Sequence, residues 1–209
     1  MPISHISYSK KFIRIVSIAI LLFVGSQSLY GWTHVGDLEL TSQTEIDALD
    51  DGLESISGEL KISGSTIDHL SKFQHLSLIE GSLIISECSS LSALTGLDSL
   101  KSVGDAVSIS QCPGLVDLTG LGSLHTVKNN FYLWLNLNLE SLQGITLTSV
   151  KRVGLAEQYA LTNIDAFSSV QTPLEYIELY RNPKITNLDA FTNIPSCQRL
   201  LIVGNTNLD

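Results

Sequence analysis

The sequence predicts a repeat solenoid, right-handed and β-helix-like, with a parallel β-sheet on one face and turn or 3₁₀ return segments on the other. Three observations predict it. The stretch "SLIISECSSLSALTGLDSLKSV" (82–103) recurs as "AVSISQCPGLVDLTGLGSLHTV" (106–127), so that Leu83, Ile85, Cys88, Leu91, Leu94, Leu97, Leu100 and Val103 reappear 24 residues later as Val107, Ile109, Cys112, Leu115, Leu118, Leu121, Leu124 and Val127. Within each unit the apolar period changes from two, the alternation of a strand, to three, which suits a tight return path. Finally, 44% hydrophobic against 16% charged residues gives every unit apolar area to bury, and a unit that cannot close a core alone must stack on its neighbours.

The elements follow in chain order. Lys10, Lys11 and Arg14 precede an apolar run, Ile15 to Val24, which ends in Gly25, Ser26, Gln27 and Ser28. Basic, apolar, then small and polar is the order of a secretory signal peptide. It is assigned to residues 1–31, with cleavage after Ser28 or Gly31 and an uncleaved signal anchor as the alternative. Residues 32–209 are then one solenoid of about eight coils, the last incomplete. Strand pairs are expected at Leu38/Leu40, Leu60/Ile62, Leu83/Ile85, Val107/Ile109, Phe131/Leu133, Val153/Leu155, Ile177/Leu179 and Leu201/Val203. Three residues after the second member stand Cys88, Cys112, Asn136, Gln158 and Asn182, with Asn205 displaced by one. Here the chain bends away from the strand, and a small or amide side chain can fill the bend and satisfy its free backbone groups. These six residues form a structural ladder.

Strand, then Asn or Cys, then spaced leucines resembles the leucine-rich repeat superfamily. Phrases such as "ISGELKIS", "IEGSLIIS" and "TGLDSLKSVGDAVSIS" are similar to its receptor L-domain type. The resemblance covers roughly residues 36–208. It implies a secreted or surface-exposed binding module, without the signalling parts of receptors.

Composition and motifs exclude other classes. The formal charge is −9, and removing residues 1–31, which hold three Lys/Arg and no Asp/Glu, takes it to −12. A nucleic-acid binder needs a basic stripe to displace counterions, and beyond the N-terminus no Lys/Arg cluster exists. No zinc spacing, nucleophile elbow, P-loop or dinucleotide fingerprint occurs. His34, His69, His75 and His125 are scattered through return segments, and the acidic run 47–51 lacks the alternating ligands of a calcium loop. No metal, cofactor or catalysis is expected. Cys88 and Cys112 occupy one ladder position in adjacent coils, about 4.8 Å apart, inside the range for a disulfide. Ladder side chains point in parallel, however, which also suits two buried thiols.

The strand register assigns the outward face. Its early coils carry small residues such as Ser63, Ser86, Ser108 and Ser110; from the fifth coil it turns aromatic. Tyr132, Trp134, Tyr176 and Tyr180 are expected around a shallow place made by Gly154 and Ala156, with Arg152 and Glu178 beside it. Rigid rings with polar handles suit contact with a protein or carbohydrate. The competing reading is that such rings stabilise the sheet by cross-strand pairing.

Overall fold

The computed structural model describes residues 31–208, so the leader assigned to 1–31 lies, apart from Gly31, outside the described residues. Within them the chain is a parallel β-solenoid. Strands β2 (Leu38–Leu40), β4 (Leu60–Ser63), β6 (Leu83–Ser86), β8 (Val107–Ser110), β10 (Asn130–Trp134), β11 (Arg152–Ala156), β12 (Tyr176–Tyr180) and β13 (Leu200–Val203) stack in that order in one sheet. Each supplies one coil. Their alternating residues point inward and are closed off: Leu60, Ile62, Leu83, Ile85, Val107, Ile109, Phe131, Leu133, Val153 and Leu155 are all 0% exposed. Burying one such side chain contributes on the order of 1.5–3 kcal/mol, which no isolated coil could collect.

The return path holds more order than expected. Besides 3₁₀ turns at Ser71–Phe73, Asp165–Phe167 and Asp189–Phe191, it contains a second, narrower parallel sheet. This sheet comprises β1 (Trp32–His34), β3 (Leu53–Ile56), β5 (Leu78–Ile79), β7 (Ser102–Val103) and β9 (Thr126–Val127). It ends after the fifth coil, where a single parallel bridge, Thr126 to Ser149, continues it. Three of these strands are two residues long with one inward side chain each, so their sequences have no alternation to read.

One expected register is corrected. In β13 the partners of Ile177 and Leu179 are Leu200 and Ile202, not Leu201 and Val203. With that shift Asn205 falls three residues after Ile202, in line with the other ladder residues. The apolar run Leu200–Val203 offered two registers, and only the ladder distinguished them.

From β6 onward each strand of the longer sheet is followed by a left-handed residue. Glu87, Gln111, Leu135, Glu157 and Arg181 have φ of 54–57° and Gly204 has 71°. A non-glycine residue there costs about 1–2 kcal/mol. Each is held by its N–H, which donates to a carbonyl of the next coil: Ser110, Trp134, Ala156, Tyr180 and Val203 in turn. In the return path Gly120 (φ 110°) passes so close to the Leu94 carbonyl of the coil before that a Cβ would collide with backbone. The "LTGL" phrase repeats because its glycine sets the coil-to-coil distance.

At the first coil a short helix, α1 (Gln43–Asp47), is capped by Ser42 and inserts the fully buried Ile46. Among the described residues β13 pairs only with β12, and Leu200, Leu201, Ile202 and Val203 are 36–55% exposed.

Candidate functional site

Of the six expected ladder residues, the three asparagines make paired hydrogen bonds to the neighbouring coil. Asn136 accepts from the Cys112 N–H (3.1 Å) and donates to the Ile109 carbonyl (2.9 Å). Asn182 does the same to Gln158 N–H (3.0 Å) and the Leu155 carbonyl (2.8 Å), and Asn205 to Asn182 N–H (2.9 Å) and the Leu179 carbonyl (2.7 Å). Each amide thus ties its own coil to the one before. Gln158 breaks the series: its longer side chain folds back to donate to the Ala156 carbonyl (3.0 Å), and its buried Oε1 has no partner among the described residues. Cys88 and Cys112 are buried free thiols. The Cys112 thiol donates to the Ser110 carbonyl (3.2 Å). The adjoining Cys88 thiol, and then burial, push the Cys112 thiol far up, so it stays protonated.

On the outer face the register places the expected rings as read. Tyr132 pairs with Gly154 and Gly154 with Glu178; Trp134 pairs with Ala156 and Ala156 with Tyr180; Asn130, Arg152 and Tyr176 form a further row. These residues do not all share one opening. Ala156 is only 4% exposed between its two large neighbours, so no open slot lies there, contrary to expectation. Trp134 stands 38% exposed to one side. Tyr180 lies under the Arg181 guanidinium (4.9 Å), which also contacts Glu157 (3.3 Å).

The open place lies toward the N-terminal ends of the strands. A depression of about 320 Å³ is lined by Ala106, Ser108, Asn130, Tyr132, Arg152, Gly154, Tyr176 and Glu178, with backbone of β8, β10 and β11 as its floor. The Tyr132 ring lies directly over Gly154, where any Cβ would strike it. The glycine therefore lets the ring lie down across the sheet. Burial, then the Glu178 carboxylate, hold the Tyr132 hydroxyl above its ordinary pKa, so at neutral pH it both donates and accepts. Arg152 is anchored by Glu175, with Nη2 at 2.7 Å and Nε at 2.9 Å from one carboxylate oxygen. Of the six expected site residues, four meet in this depression and Trp134 and Tyr180 lie outside it.

A second depression, about 340 Å³, adjoins the first and shares Asn130 and Arg152; Asp105, Asn129, Lys151 and Glu175 complete it. These four stand in one column, two residues before each strand's first inward residue. Their N–H groups donate in series, Asn129 to Asp105, Lys151 to Asn129 and Glu175 to Lys151 (2.8–3.0 Å). In earlier coils the column is Gly58 and Gly81. Its change to Asp, Asn, Lys and Glu was legible in the repeat register, but sequence reasoning read only the columns nearer the strand. Asp105 accepts from Asn129 Nδ2 (2.7 Å) and Ser82 Oγ (3.1 Å), which lowers its pKa.

Among the described residues no group of three His, Cys, Asp or Glu side chains is placed to hold a metal ion, and no helix is long and apolar enough to cross a membrane. The class the geometry defines is thus a parallel β-solenoid with a two-part depression on its longer sheet. Compared with family models, curated proteins and solved structures, the chain finds no match.

Proposed function

We propose that this chain is a secreted or cell-surface binding module, a leucine-rich-repeat solenoid of receptor L-domain type, that holds a protein or glycan on its outer strand face and performs no catalysis. The observation carrying this reading is the contrast between the inner and outer faces. The ladder asparagines turn their amides inward to the neighbouring coil, whereas at the first depression two tyrosine rings border open space beside the Arg152 and Glu178 side chains. Polar side chains beside aromatic surface suit a ligand that stacks and hydrogen-bonds there.

The test compares the full-length wild-type protein with the double variant Tyr132→Ala, Tyr176→Ala for binding to intact cell surfaces, surface extracts and immobilised glycans. Wild-type binding lost in a folded variant supports the reading; equal binding by the two overturns the site. A structural or adhesive envelope repeat without a discrete site is the second reading, favoured by the exposed apolar edge strand Leu200–Val203. It predicts weak, multivalent adhesion insensitive to the double variant.

A further inference from the structure

We infer that the ligand class of the two-part depression is a short neutral glycan; this rests on the binding reading above. The first half presents tyrosine rings across the sheet, with the Glu178 carboxylate as an acceptor and the Ser108 and tyrosine hydroxyls as groups that both donate and accept. The second half adds Lys151, which among the described residues has no ion-pair partner for its ammonium, and the exposed edge of Arg152. A hydroxylated ring matches both: its C–H face lies on an aromatic ring, while each hydroxyl donates to one group and accepts from another.

Other ligand classes fit less well. An extended peptide cannot join the sheet here, because β10, β11 and β12 are each paired on both sides, and strand addition needs a free edge. A docked helix needs a continuous apolar groove, which the charged second half interrupts. An anionic ligand would face Glu178, Glu175 and Asp105 on a chain of net charge −9. The lining spans four strands, β8 to β12, or about 14 Å at the usual strand spacing. That suits an oligosaccharide better than a single sugar.

The experiment is isothermal titration of the full-length protein with neutral trisaccharides of glucose, mannose and N-acetylglucosamine, with an oligogalacturonate as the anionic comparator. Saturable binding of a neutral trisaccharide is expected, weakened about tenfold or more by Tyr132→Ala and by Glu178→Gln and unchanged by Trp134→Ala, as expected for losing a stacking face or a hydrogen bond. Glu178→Gln alters a half-exposed surface group, so it reads the site even if Tyr132→Ala fails to fold. Silence from every neutral trisaccharide, preference for the oligogalacturonate, or undiminished binding by both variants overturns the inference. A cell-surface protein bound by wild type and lost in Glu178→Gln, with all sugars silent, overturns the glycan class and leaves the binding reading standing. If no surface or sugar binds, both fall.

Discussion

The same bend is filled in two ways along this solenoid. In the third and fourth coils a thiol occupies it; in the fifth, seventh and eighth an asparagine does. The asparagine coils gain two hydrogen bonds each to the coil before, buried for Asn136 and Asn182 and partly buried for Asn205. Both thiols turn to a carbonyl of their own coil, Cys88 to Ser86 (3.3 Å) and Cys112 to Ser110 (3.2 Å), and Cys88 adds a long contact of 3.8 Å to the equivalent Ile62 carbonyl. The bend thus requires only a small side chain, and the amide is what couples neighbouring coils.

The largest expected effect comes from breaking an amide. Asn182→Ala leaves the Gln158 N–H and the Leu155 carbonyl buried and unpaired, at a cost of about 2–4 kcal/mol. Cys112→Ala removes one weakly bonded sulfur and costs about 1 kcal/mol. Chemical denaturation of both variants measures the difference, and equal losses would show that the bend is a matter of filling alone.

Next in size is a gain. Gln158 is one methylene too long for its place, so no acceptor from its coil reaches the Asn136 N–H. Gln158→Asn should restore the missing link and remove the orphaned Oε1, stabilising the protein by about 1 kcal/mol. An unchanged or lowered denaturation midpoint would mean that the sixth coil is set too far away for an asparagine to reach.

Thiol accessibility sharpens the comparison without changing stability. Cys197 is exposed while Cys88 and Cys112 are closed in. A thiol reagent should therefore label one cysteine in the native protein and three after denaturation. One labelled cysteine after denaturation would instead indicate that the stacked pair had been oxidised to a disulfide.

How much of this was legible follows from what repeats. The inward pairs and the ladder recur at 22–24 residue intervals with a fixed chemistry, so Phe131, Leu133 and Asn136 declared their roles. The left-handed column did not, because Glu87, Gln111, Leu135, Glu157 and Arg181 share a backbone conformation and no side-chain chemistry. The second sheet was hidden by strands such as Ser102–Val103, too short for a pattern. On the outer face, the register put Tyr132, Arg152, Tyr176 and Glu178 on neighbouring strands, and the structure gathers them around one depression. The register could not tell that Ala156 would be covered while Gly154 would seat a ring, since that depends on how neighbouring side chains lie down.

The smallest predicted effect concerns how the thiol coils are held where the amide links are missing. Asp105 in the fourth coil accepts from Ser82 of the third and Asn129 of the fifth, stitching the three together from outside. These hydrogen bonds lower its pKa in the folded protein. Asp105 thus stabilises the fold above the ordinary aspartate range, near pH 4, and that contribution fades as pH falls through its depressed value. The group lies near the surface, so solvent screening keeps the effect small. Asp105→Ala should lower the melting temperature slightly at pH 7 and leave it unchanged well below the depressed value, where the wild-type carboxyl is already neutral. A deficit that persists undiminished in acid would show that the staple acts through packing and not through its charge.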